Sequence, residues 1–138
     1  MIRLIICLPL IYFAATVDAQ STEKEKVVKA YYSGYEKHDW NAAVAQFAKD
    51  FTFTSPNNDD HISVEKFKEK CWPTNSFCKK VNFIKMIESD NDLFLLVEIL
   101  TTENKVVRNV DLYKFSAGKI KSIEVFFGPG SKYPGNTE

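Results

Sequence analysis

Histidine is scarce in this 138-residue chain: His38 and His61 are the only two. Neither stands at ligand spacing to a cysteine pair, which argues against a zinc site. Charge of one sign is also missing. Eighteen basic and eighteen acidic side chains cancel, and no basic block runs along the sequence. That balance argues against a nucleic-acid partner. No internal repeat is visible, and the length suits a single domain.

Long apolar runs are confined to the amino end. Arg3 precedes an apolar stretch over residues 4–15, followed by Val17-Asp18-Ala19. This is the layout of a secretory signal peptide with cleavage after Ala19. An uncleaved anchor is the alternative, but the stretch falls short of the roughly 20 residues a span needs, and Pro9 interrupts it. Cys7 lies too near the start for a lipoprotein acylation site. The expected protein is therefore secreted or periplasmic, with no stable membrane insertion once residues 1–19 are gone. The expected division is signal peptide 1–19, one domain 20–128 and a turn-rich, flexible tail 129–138.

Cysteine is sparse as well. After export, Cys71 and Cys78 remain, separated by Trp72-Pro73-Thr74-Asn75-Ser76-Phe77. An exported chain favours a disulfide across this short loop, contributing about 2.5 kcal/mol less any strain. Two buried free thiols are the other reading.

What the chain does have is clear patterning. Thr22-Glu23-Lys24-Glu25 matches a capping box that opens a helix running to about residue 37. Val27, Val28, Tyr31, Tyr32 and Tyr35 form its apolar stripe. Gly34 weakens this helix and leaves room for a close neighbour. Asp39 caps a second helix, expected over 40–48, with Trp40, Ala43, Val44 and Phe47 on one face. The pattern then switches to period two at 51–55, a short strand closed by Pro56. Residues 57–61 read as a polar loop. Ser63 caps a third helix over 64–70, and 73–77 reads as a loop. Strands are expected at 81–88, 93–101, 106–115 and 119–127. Helices first and a meander of strands afterwards imply an α+β fold, with helices on one face of a curved, mainly antiparallel sheet.

The hairpin over 106–128 carries an acid in mid-strand, Asp111. Asn109, Asp111 and Tyr113 share one face, while Val110 and Leu112 share the other. Aspartate is depleted in strands and costly to bury without a partner. It is either a structural hydrogen-bonding group or a functional one.

The segments VVKAYYSGYEKHDWNAAVAQFAKDFTFTSP (27–56) and VDLYKFSAGKIKSIEVFFG (110–128) resemble the NTF2-like superfamily. That superfamily is a cone-shaped α+β (cystatin-like) fold that includes SnoaL-like proteins and ketosteroid isomerase. The resemblance implies a cavity between helices and sheet, and it covers nearly the whole mature chain. In the isomerase a first-helix tyrosine donates to a developing oxyanion, and Tyr31 falls at that position. A protonated acid on a late strand is the second donor, and Asp111 falls there. The general base stands just before the proline that closes the first strand. Here that residue is Ser55, and a serine without a paired base cannot abstract a proton. Asp59, Asp60 and His61 are the only nearby replacements.

By family position Ile123, Val125 and Phe127 face the cavity. The expected ligand-binding set is Tyr31, Tyr35, Phe53, Ser55, Phe67, Asn109, Asp111, Ile123, Val125 and Phe127. The catalytic candidates are Asp111, Tyr31 and His61. Each has a plainer reading: Tyr31 as a core tyrosine, Ser55 as a strand-end residue, His61 as part of a solvated loop, and Asp111 as satisfied by Tyr31 or a water. The lining suits a small apolar molecule carrying a carbonyl or hydroxyl, with no cofactor and no metal. Val110, Leu112 and Phe126 would lie on the outer sheet face, through which this superfamily commonly forms homodimers. An isomerase or lyase of SnoaL-like or ketosteroid-isomerase-like type, and a non-catalytic dimeric interaction module, stand as the alternatives.

Overall fold

A computed structural model describes residues 21–127. The expected signal peptide, the domain's expected end residues and the expected tail lie outside the described residues.

Three capped helices open as the sequence predicts. Thr22 accepts a hydrogen bond from the Glu25 amide and starts α1 (Glu23–Glu36). Asp39 accepts from Ala42 and starts α2 (Trp40–Val44). Ser63 accepts from Lys66 and starts α3 (Val64–Lys70). Each cap satisfies an amide that the first helical turn leaves without an intrahelical partner.

The six strands are β1 (Phe47–Ser55), β2 (Asp59–Ser63), β3 (Cys78–Ser89), β4 (Asp92–Thr101), β5 (Val106–Ser116) and β6 (Lys119–Phe126). They form one sheet in the order β2-β1-β6-β5-β4-β3. The β1–β6 pair is parallel and the other pairs are antiparallel. Extra residues on β1, β2, β3 and β6 mark bulges, which bend strands and increase their twist.

Three local expectations need correction. The second helix ends at Val44 rather than residue 48, and β1 starts at Phe47. The spacing of Phe47 from Val44 and Ala43 suggested helix, but Phe47 faces the core as a strand residue and stacks on Phe51 at 3.8 Å. The expected polar loop at 57–61 instead turns back on itself, and its second half pairs with β1 as β2. The expected loop at 73–77 is a 3-10 helix, Trp72–Phe77, with Pro73 in its first turn, where a missing amide costs nothing.

The core is one cluster. Val28, Tyr31 and Tyr32 of α1 join Leu93, Leu95 and Val97 of β4, Tyr113 of β5, and Ile120 and Ile123 of β6. Gly34 is where α1 meets α2. A Cβ there would stand 2.7 Å from the Ala43 amide nitrogen, so only glycine lets the two backbones approach this closely. Among the described residues no helix is long and apolar enough to cross a membrane.

Candidate functional site

Strand alternation turns Asn109, Asp111 and Tyr113 of β5 inward, toward the helices. Opposite Asp111 stand Leu95 of β4 and Val125 of β6, both apolar. On α1, positions 31, 32 and 35 fall on the same side because the apolar stripe is wide. The side chains enclose a cavity of about 270 Å³. All ten residues of the expected ligand-binding set line it.

Asp111 is the centre of its polar chemistry. The residue is only 1% exposed. Its Oδ2 accepts hydrogen bonds from the Tyr32 hydroxyl at 2.5 Å and the Tyr113 hydroxyl at 3.1 Å. Its Oδ1 is buried with no protein partner among the described residues, and so is Oδ1 of Asn109. Burial pushes the Asp111 carboxyl up to about 6, and the two tyrosine donors keep it from rising further. At neutral pH it is therefore mostly a carboxylate, an acceptor rather than a donor.

The partner of Asp111 is thus Tyr32, not Tyr31. Tyr31 lines the cavity and lies close enough for the Asp111 charge to reinforce burial in raising its pKa, but makes no hydrogen bond to Asp111. The sequence carried a partial signal for this. Tyr32 sits on the same stripe, and Tyr113 lies two residues from Asp111 on the same strand face. Nothing in the spacing chose between the adjacent tyrosines. Tyr35 bonds to the Thr74 hydroxyl at 2.9 Å, and its own hydroxyl is pushed up to about 12, chiefly by burial.

The cavity mouth holds a second carboxylate. Ser55 donates to Asp59 Oδ2 at 2.8 Å, and Lys70 forms an ion pair with Asp59 Oδ1. The Cys71 thiol lies 3.8 Å from Asp59 Oδ2. Asp59 is covered by its immediate neighbours, with few atoms packed beyond them. Burial raises its pKa, yet hydrogen bonds from Lys70 and Ser55 outweigh this and hold it below the usual carboxylate range. Two acids on one cavity are thus driven in opposite directions.

His61 does not line the cavity that holds Asp111. Between the pairs Phe53–Ile62 and Ser55–Asp59, β1 advances two residues and β2 three. The extra residue breaks alternation at His61, whose φ is 50°. Asp59 and Ile62 turn inward, whereas His61 turns out and pairs with Asp60 at 2.5 Å. It stands in a separate concavity beside Thr52, Thr54 and Glu124, away from Asp111.

The expected disulfide is likewise absent: Cys71 and Cys78 are both free. Cys71 caps α3 beside Asp59, while Cys78 opens β3 and is influenced by Glu36. Burial pushes each thiol up to about 11. Among the described residues no group of three or more His, Cys, Asp or Glu gathers as a metal site.

A six-stranded, curved, mostly antiparallel sheet with helices packed on it is the NTF2-like fold. The family model for the SnoaL-like domain matches residues 28–123, and the chain belongs to that family. No curated protein matches the chain. Among solved structures it is similar to an NTF2-like protein from Cytophaga hutchinsonii ATCC 33406, at 25% identity and TM-score 0.61, covering 81% of this chain and 95% of that one. It is also similar to a protein with a cystatin-like fold from Methylobium petroleophilum PM1, at 15% identity and TM-score 0.67, covering 83% and 80%. A third is TerC, co-crystallized with polyporic acid, at 14% identity and TM-score 0.60, covering 78% and 93%.

Proposed function

We propose that the domain binds one small, mostly apolar molecule in its cavity, with Asp111 as the polar anchor. The observation that carries this reading is the buried Asp111 Oδ1, which has no protein partner among the described residues and shares the cavity with Tyr31, Phe53, Phe67, Ile123 and Val125. A buried polar atom without a partner is costly, and a ligand hydrogen-bond donor would remove that cost. The cavity volume admits a molecule of roughly one or two rings. The sequence pointed to Asp111 and Tyr31 as polar anchors for a ligand carbonyl or hydroxyl, and the isomerase resemblance implied that both donate. The hydrogen bonds support the opposite polarity, with Asp111 accepting and the hydroxyls of Tyr32 and Tyr113 already engaged.

Thermal-shift measurements with one- and two-ring alcohols, ketones and amines test the reading. Stabilisation by at least one class is expected, with loss of the effect in Val125→Phe, which fills the cavity. No stabilisation by any class would sink it.

Catalysis is the second reading, supported by Asp111 near 6 and Asp59 held low on the same cavity. Environments that drive two acids apart are the usual arrangement for acid–base work, here of isomerase or lyase type. Under that reading Asp111→Asn abolishes turnover of a bound substrate while the fold and binding persist.

We also propose homodimerisation through the outer sheet face, as an exported protein. Val110 and Phe126 are register partners there, 40% and 47% exposed, beside Phe94 and Leu112. Such a cluster of exposed apolar side chains is characteristic of an interaction surface. Light scattering of Val110→Lys/Phe126→Lys against the parent tests the dimer, and an unchanged mass rules out this face.

A further inference from the structure

We propose that the ligand class is a protonated amine on a small ring system, held by Asp111 and Asn109. The inference rests on the binding-cavity reading above and narrows it. Two acceptors, Asn109 Oδ1 and Asp111 Oδ1, lie two residues apart on one face of β5, both buried and both without a protein partner among the described residues. Acceptors side by side fit a ligand group with several N–H donors. An ammonium has three.

Charge selects among the alternatives. Asp111 forms no ion pair among the described residues, and the groups around it are neutral. On α1 these are Tyr31, Tyr32 and Tyr35. On β5 it is Tyr113, and β4 and β6 present Leu95 and Val125. At the mouth Asp59 of β2 and Lys70 of α3 neutralise each other, and the Cys71 thiol is protonated. A buried carboxylate without a counter-charge is unfavourable, and a bound ammonium would supply that charge. A ligand carboxylate would meet like charge and two acceptors. A ligand carbonyl could accept from the Tyr31 hydroxyl, but it has no hydrogen to donate and would leave both oxygens without a partner. A hydroxyl can satisfy only one of the two oxygens. Tyrosine rings on the cavity wall add attraction for a cation that they would not give a neutral group.

The test uses three probes of one shape: 1-naphthylmethylamine, 1-naphthylmethanol and 1-naphthoate. Their dissociation constants are measured by calorimetry at about pH 7.5 and about pH 5. The amine is expected to bind about tenfold or more tightly than the alcohol at the higher pH, with the naphthoate weakest. That preference shrinks at the lower pH, where Asp111 takes up a proton. It also shrinks in Asp111→Asn, whose fold is checked by circular dichroism. The pH comparison on the unmodified protein needs no variant. An alcohol that binds as tightly as the amine overturns the amine assignment and leaves the cavity reading intact. Binding of none of the three overturns both.

Discussion

The Tyr32 hydroxyl donates to Asp111 Oδ2 over 2.5 Å, joining α1 to a strand 79 positions further on. This bond has two effects. It keeps the buried carboxyl from rising further, and together with Tyr113 it occupies one carboxylate oxygen while the other stays free for a ligand. Tyr31, one position earlier, makes no such bond and is left to line the cavity.

Replacing Tyr32 with Phe should therefore move Asp111 well above its value of about 6. A hydrogen bond to a charged group contributes about 1.5–3 kcal/mol, so a loss of that order is expected in urea unfolding at neutral pH. Carbon-13 NMR of the aspartate carboxyl follows the titration. Tyr31→Phe should leave the Asp111 midpoint near its parent value.

Stability should fall with rising pH over part of the acidic range. Asp111 has a folded pKa raised from 3.8 to about 6. The native state thus holds its proton more tightly than the unfolded state does. Its favourable contribution is complete below the unfolded value and is lost as pH rises through the folded one. That loss amounts to about 3 kcal/mol between about pH 4 and pH 6. Asp59 acts in the opposite sense. Its folded pKa is lowered, so its contribution is present above the unfolded value and lost in stronger acid. Denaturant melts across this range should show the decline in the parent protein, and Asp111→Asn should remove it.

Gly34→Ala should destabilise the fold even though alanine favours helix by about 1 kcal/mol. The new methyl would meet the Ala43 backbone at 2.7 Å, which is main chain and cannot swing aside. Forced separation of α1 and α2 costs about 1–3 kcal/mol beyond that gain. Chemical denaturation gives the sign directly.

Cys71 and Cys78 should be recovered as two free thiols by mass spectrometric mapping under non-reducing conditions. With each thiol pushed up to about 11, the thiolate fraction near neutrality is small. Alkylation by iodoacetamide at about pH 8 should be much slower than for an exposed cysteine, and should speed up as pH rises or the protein unfolds.

The parts of this site legible in the sequence were those set by local rules. Period two placed Asn109, Asp111 and Tyr113 on one strand face, and the caps at Thr22, Asp39 and Ser63 fixed the helix starts. The missing parts depend on events no local pattern encodes. One extra residue in β2 sends His61 outward and leaves Asp59 inward beside Ser55, so the acid at the cavity mouth comes from a segment read as loop. Tyr31 and Tyr32 share a stripe, and only the docking of α1 on the sheet decides which hydroxyl reaches Asp111. Phe47 fits either a helix face or a strand face, and its stacking on Phe51 makes it strand.

Asp111 acts as a buried carboxylate that accepts hydrogen bonds within the cavity at neutral pH. Its own carbon-13 titration tests this most directly. A midpoint near 6 is expected, shifted downward when 1-naphthylmethylamine is bound. A midpoint near 3.8, the ordinary aspartate value, would mean that the carboxyl is not shielded in the native protein. A carboxyl still protonated well above neutrality would make Asp111 a donor, and would contradict the acceptor site on which the proposed ligand depends.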